Sequence, residues 1–212
     1  EAKYTPRLVT RLLEGESLAL VSDAGTPLLS DPGARLVRAA VEAGVQVSPI
    51  PGASALLAAL VASGLDVDRF TFMGFLARKG HERRGALDDV VAAAHLVVLY
   101  EAPNRVADTL AELVEAGAGE RETVVARELT KQHEELRRGT VAELAAYYGH
   151  TPPRGEVVIL IAGRIPQAVS EDELRARANQ LRGEGRSARD IASVLSAELG
   201  APRNLAYRLA HE

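Results

Sequence analysis

Apolar runs of strand length alternate with segments of helical period along most of the chain, and this alternation restricts the fold more than any other feature. Strands are expected at 17–22, 45–50 and 70–75, with helices at 33–43 and 54–63 between them. The pattern continues with helices at 81–94, 103–116 and 141–149 and strands at 96–101, 123–128 and 156–162. Such βαβ grammar implies a largely parallel sheet. Gly44 and Gly64 stand where helix C-caps belong, and Thr140 with Glu143 makes a capping box ahead of the helix at 141. Residues 1–14 read as a helix that precedes the strand at 17.

A break in the pattern at 64–69 divides the α/β part into 1–66 and 67–165. After it, GRIPQAV from Gly163 reads as a linker, and 170–212 is all-helical. Ser170 with Glu173 and Ser187 with Asp190 open helices there, and Gly200 with Pro202 ends the second. Helix, glycine-bearing turn and helix give the outline of a helix-turn-helix, an outline shared by small packing bundles that touch no nucleic acid. Residues 174–212 carry seven arginines against four acids, although the whole chain has a net charge of −4. A basic tail thus follows an acidic body.

With 212 residues and 47% hydrophobic content, the chain can bury a proper core. No apolar stretch approaches the ~18 residues of a membrane span. Cysteine is absent, which excludes disulfides and thiolate metal sites and fits a cytoplasmic protein. The five histidines (His81, His95, His133, His150, His211) are scattered without metal-ligand spacing, so no metal is expected.

Two loops have an unusual composition. Residues 21–33, VSDAGTPLLSDPG, follow the first expected strand, and PIPGASALLAAL follows the second and opens a helix at about Ser54. Glycine and proline let a backbone approach a ligand closely, and a helix start offers unpaired N–H groups to a carboxylate or phosphate. Ordinary βα turns draw on the same residues for conformational reasons, so spacing alone leaves both readings open.

Those two runs, with GFL at 74–76, YEAPNR at 100–105, ARELTK at 126–131 and RGEVVILI at 154–161, resemble the ribosomal RNA small-subunit methyltransferase I family in order and spacing. The resemblance covers nearly the whole chain. It implies an α/β, two-domain tetrapyrrole-methylase-like fold with a small C-terminal helical region, and S-adenosylmethionine held in the cleft between the domains. The implied activity is 2′-O-methylation of the ribose of a cytidine in the decoding region of 16S rRNA, cytidine 1402. Implied partners are 16S rRNA or the 30S subunit and a second copy in a homodimer. Family members begin with a strand, a TPIGNL loop and an AEDTR segment, and this chain starts after them. It is expected to be a fragment whose domain 1–66 is truncated at its start.

By resemblance Asp23, Gly25, Thr26, Leu29 and Ser30 line one side of the methyl donor, with Ser54 and Ala55 at the helix start. Phe75, Tyr100, Leu129 and the turn of Gly155, Glu156 and Val157 form the other side. Tyr100 reads equally well as a core aromatic at a strand end, and Gly155 with Glu156 as a simple turn. A ribose hydroxyl needs a proton acceptor within ~3 Å, for which Glu101, Glu128 and Asp31 are candidates. Lys131 or Arg127 would orient a phosphate, while a carboxylate beside an arginine is also a common structural pair. Arg78, Lys79, Arg83 and Arg84 form the densest positive stretch and would bind RNA phosphates, or else belong to a solvated loop. Two other readings stay open: a methylase of a tetrapyrrole or other small molecule on the same fold, and a non-catalytic RNA-binding fragment. The basic stretch and the basic tail favour an RNA acceptor.

Overall fold

The computed structural model describes residues 2–164 and 169–212, which divide between two compact units, Glu1–Arg164 and Ile165–Glu212. The linker expected from Gly163 to Val169 runs through 165–168, outside the described residues. Stretches 1–66 and 67–164 fall together in the first unit. Three hydrogen bonds tie them: Arg138 donates to the carbonyls of Ser63, at 2.9 Å, and Ala62, at 2.5 Å, and the Leu56 N–H donates to the Tyr100 hydroxyl at 3.2 Å.

The first unit holds one sheet of five strands: β1 (Phe70–Phe75), β2 (Leu96–Glu101), β3 (Glu122–Arg127), β4 (Glu135–Thr140) and β5 (Val157–Ile161). Their spatial order is β1-β2-β5-β3-β4. Only β1 and β2 pair in parallel, and the other three ladders are antiparallel. The expected largely parallel sheet is therefore corrected to a mixed one. The reason is topological: β5 inserts between β2 and β3 and runs against both, and β4 returns beside β3 through a short loop. All five residues of β5 are buried, as its unbroken apolar run requires of a central strand. β4 escapes sequence reading because ELRRGT is an edge strand with one aliphatic side chain.

Strand alternation sends successive side chains to opposite faces. Val97, Leu99, Val125, Ile159 and Ile161 pack with the helices α4 (His81–Ala92), α5 (Val106–Leu113) and α6 (Val141–His150). Val98, Val124, Ala126, Val158 and Leu160 face α3 (Ala55–Ser63). The helix expected at 103–116 is three pieces: a 3₁₀ turn at Pro103–Arg105, α5, and a wide turn at Val114–Ala118 where Gly117 has φ of 96°. The capping box at Thr140 and Glu143 forms as expected, with both reciprocal hydrogen bonds.

Helices α1 (Thr5–Leu13) and α2 (Ala34–Glu42) complete this unit. The strands expected at 17–22 and 45–50 are absent. Both segments are extended, yet a strand exists only through its ladder, and no described strand pairs with either. Val21 and Ile50 are accordingly 82% and 85% exposed.

The second unit consists of α7 (Glu171–Gly183), α8 (Ala188–Leu199) and α9 (Arg203–His211) around Leu174, Leu181, Ile191, Leu195 and Leu209. Ser170 caps α7 in a capping box, Ser187 caps α8, and Gly200 ends α8 in the left-handed region. Three tail arginines are engaged within the unit: Arg175 pairs with Glu212, Arg208 with Glu171, and Arg182 donates to the Leu209 carbonyl.

Candidate active site

The glycine- and proline-bearing loop at 22–33 folds back on itself and onto two other segments. Ser22 Oγ donates to Asp31 Oδ2 at 2.6 Å, closing the loop. Thr26 Oγ1 donates to the Ala53 carbonyl at 3.0 Å, which ties this loop to the one before α3. A Cβ on Gly74 would lie 3.1 Å from Ser30 Oγ, so the bulged end of β1 also approaches the loop. Leu28 and Ser30 have φ of 76° and 66°, a conformation that L side chains adopt at a cost of ~1–3 kcal/mol each when the surroundings impose it.

Helix α3 begins within this assembly. Ser54 Oγ accepts from the Leu57 N–H, and the Tyr100 hydroxyl accepts from the Leu56 N–H at 3.2 Å. Tyr100 lies edge-on to Phe72 and Phe75, with ring centroids 4.8 and 5.7 Å away. Burial pushes its hydroxyl above the usual tyrosine range, and the negative charges of Asp31 and Glu156 push the same way. Two carboxylates from distant segments therefore act on one phenol.

The turn into β5 supplies another wall. Glu128, with φ of 48°, accepts from the Glu156 N–H at 3.0 Å and pairs with Lys131 at 2.9 Å. Lys131 also reaches Glu156 at 3.1 Å. The Glu156 N–H first, then Lys131, hold the Glu128 carboxyl below the usual carboxylate range, which makes it a weaker base. Gly155 has φ of 83°, and a Cβ there would lie 2.3 Å from the Glu128 carboxyl group.

The structure thus brings together the loop carrying Asp23, Gly25, Thr26, Leu29, Ser30 and Asp31, the α3 start with Ser54 and Ala55, and Phe75 and Tyr100. Leu129 packs with Tyr100 against the α3 side of the sheet, and Val157 sits buried at the end of the turn formed by Gly155 and Glu156. Two residues are corrected. Glu101 does not face the cleft: its side chain is 0% exposed, and its oxygens accept from Thr109 Oγ1 at 2.7 Å and the Ala102 N–H at 2.8 Å. Arg83 does not belong to an RNA surface: it is 6% exposed and bonds Glu112, Thr109 and the Ala77 carbonyl. Both are spent on internal polar satisfaction. Arg78, Lys79 and Arg84 are exposed. Lys131 is held by its two glutamates.

Sequence reasoning did not single out Ser22 or the closeness of Gly74 to the loop. A glycine inside a strand was the available signal, since it marks a bulge or a close backbone approach.

The family model of the Tetrapyrrole (Corrin/Porphyrin) Methylases matches residues 2–145. Among solved structures, the methyltransferase CobJ superposes with a TM-score of 0.56 at 19% identity, covering 78% of this chain and 72% of that one. Uroporphyrin-III C-methyl transferase from Thermus thermophilus, complexed with S-adenyl homocysteine, superposes with a TM-score of 0.52 at 20% identity, covering 74% and 70%. Fold and family model together define the class as the tetrapyrrole methylases. The Ribosomal RNA small subunit methyltransferase I of Synechocystis sp. is 43% identical over 211 residues, which are 98% of this chain and 76% of that protein. The chain belongs to the ribosomal RNA small subunit methyltransferase I family.

Methyltransferases of this family use S-adenosylmethionine. The residues present suit it. Three aromatic rings with Asp31 and Glu156 around Tyr100 favour a sulfonium cation. Gly25 has φ of 71°, a left-handed conformation that glycine adopts without strain, and it lies beside the Ala53 carbonyl. If this loop holds the donor, Thr26→Trp is expected to weaken donor binding strongly in calorimetry while leaving the far-ultraviolet spectrum unchanged, because an indole would break the tie to the Ala53 carbonyl and push the two loops apart. Unaltered affinity would remove the loop from the site.

Proposed function

We propose that the chain transfers a methyl group from S-adenosylmethionine to the ribose 2′-oxygen of a cytidine in 16S rRNA, with the acceptor presented by the 30S subunit. The observation that carries this reading is the convergence of the 22–33 loop, the α3 start and Tyr100 at one place. The bound donor would supply an electrophilic methyl group on sulfur. The chain's own task is alignment of the ribose oxygen with that carbon, for which rigid tethers such as Thr26 to Ala53 are suited. The chain would also have to take the proton of the ribose hydroxyl, a role suited to a carboxylate.

Of the three candidate carboxylates, Asp31 fits that step best. Glu101 is buried, and Glu128 is held by a cation and a backbone N–H that weaken it as a base. Asp31 contacts a hydroxyl instead, on the side of Tyr100. Asp31→Asn is expected to lower the methylation rate of 30S particles at saturating donor by about 10²- to 10⁴-fold, beyond any weakening of donor binding. An unchanged rate would reject this assignment.

The acceptor side fits a nucleotide better than a bare tetrapyrrole. A cavity of about 560 Å³ beside Phe75 is bordered by Asn104, Arg105 and the exposed Arg78, with Lys79 and Arg84 following along the chain. Guanidinium and ammonium groups at the mouth of a pocket serve phosphates. A homodimer and a cytoplasmic location accompany this reading. Among the described residues no helix is long and apolar enough to cross a membrane, and no group of side chains suits a metal ion.

A further inference from the structure

A second cavity, of about 190 Å³, lies on the other face of the sheet and is lined by Arg127, Glu135, Tyr147, Tyr148, Thr151 and Arg154. Arg127 follows the alternation of Val125, which packs with α5 and α6, whereas Val124 and Ala126 face α3. This cavity is therefore separate from the cleft around Tyr100.

Its polar lining is incomplete. Tyr148 is 1% exposed, and its hydroxyl has no hydrogen-bond partner among the described residues. A buried donor without an acceptor is uncommon and calls for an explanation. Burial pushes this hydroxyl up to about 12, so it keeps its proton and remains a donor at neutral pH. Glu135 is already committed, since its Oε2 accepts from Arg127 Nε at 2.7 Å and its Oε1 from Arg137 Nη2 at 2.8 Å. The exposed Arg154 also lines the cavity, so two guanidinium groups there accompany a single carboxylate that Arg137 shares as well. An excess of positive charge beside an orphaned hydroxyl calls for an anion that only accepts.

We propose that this cavity is a binding site for a phosphate group, held by the Arg127 and Arg154 guanidinium groups and the Tyr148 hydroxyl. The three donors come from β3, from α6 and from the segment before β5, an arrangement suited to a tetrahedral anion with oxygens on every side. The volume equals roughly six waters, enough for a phosphate and too small for a nucleoside beside it. The ligand is inorganic phosphate, or a backbone phosphate entering from the mouth.

Position gives the site a consequence. Arg127 and Arg154 immediately precede Glu128 and Gly155, whose turns are joined by the Glu128 N–H to Glu156 carbonyl bond at 3.0 Å. An anion shared by the two arginines clamps these turns from behind. The inference stands independently of the reaction proposed above.

The test is thermal melting and phosphorus NMR of the full chain with inorganic phosphate against chloride at equal ionic strength. Phosphate, but not chloride, should raise the melting temperature, because a ligand bound only by the folded state stabilises it. Tyr148→Phe should weaken phosphate about fivefold, and Arg154→Ala, on an exposed residue, about tenfold. Without phosphate, Tyr148→Phe should melt no lower than the wild type, since it deletes an unsatisfied buried hydroxyl. A short unphosphorylated single-stranded RNA that displaces phosphate would assign the site to backbone phosphates, and failure to displace it would assign the free anion. No phosphate-specific shift up to about 10 mM, or wild-type affinity in both variants, overturns the inference.

Discussion

Gly155→Ala should lower the melting temperature by on the order of 5 °C and weaken S-adenosylmethionine binding measurably. The backbone there has φ of 83°, a region that costs a side-chain-bearing residue about 1–3 kcal/mol. In a chain of this length each kcal/mol shifts the midpoint by about 2–4 °C. The new methyl group would also sit 2.3 Å from the Glu128 carboxyl. A free surface glutamate would swing aside, but this one is tethered by the Glu156 N–H and by Lys131, so moving it opens the turn. Adding Glu128→Ala removes the clash together with the Glu156 and Lys131 bonds of that carboxyl, so the losses of the two single variants should be less than additive. A thermal midpoint and donor affinity equal to the wild type's in Gly155→Ala would show that the turn is not built as described.

The same turn shows how far the sequence reaches. RGEVVILI announces a central strand through five consecutive apolar residues, and β5 occupies 157–161. Capping residues were equally legible, because Thr140, Ser170 and Ser187 act through bonds to backbone three positions away. Nothing local records that Glu128 and Gly155 meet, for their contact follows from the insertion of β5 beside β3. Sheet direction was misjudged for the same reason: alternation of strands and helices sets composition, whereas pairing partners depend on where the chain returns. The segments at 17–22 and 45–50 have the side chains of strands without a ladder, so propensity alone misplaced them. The loop at 22–33 stood out in the sequence because glycine and proline are conspicuous. Its engagement with Gly74 and Tyr100 required coordinates.

Arg83 and Arg84 are neighbours with the same charge, and their alanine variants should behave in opposite ways. Arg83 Nε bonds Glu112 at 2.6 Å, its Nη2 bonds Thr109 Oγ1 at 3.0 Å, and its Nη1 bonds the Ala77 carbonyl at 3.2 Å. Thr109 Oγ1 in turn donates to the buried Glu101, which lies 3.4 Å from Arg105 Nε, and Arg105 holds the Leu76 and Ala77 carbonyls. Breaking a fully buried ion pair costs about 3–5 kcal/mol, mainly through the stranded partner charge. Glu112 is 40% exposed on its side chain and would regain water, so the loss for Arg83→Ala should fall near about 2–3 kcal/mol. That corresponds to a midpoint lower by roughly 4–12 °C. Arg84 is exposed, so Arg84→Ala should leave the midpoint within about 1 °C. If Arg84 serves the acceptor, its loss should weaken binding of 30S particles and shallow the salt dependence by about one counterion. Arg105 extends the argument to the cleft: loosening the network frees the 76–77 carbonyls beside Phe75, so Arg83→Ala should also raise the KM for RNA. Chaotrope midpoints and salt-dependent binding isotherms on the two single variants separate the cases. Equal melting of Arg83→Ala and wild type would mean that the buried network contributes nothing to stability.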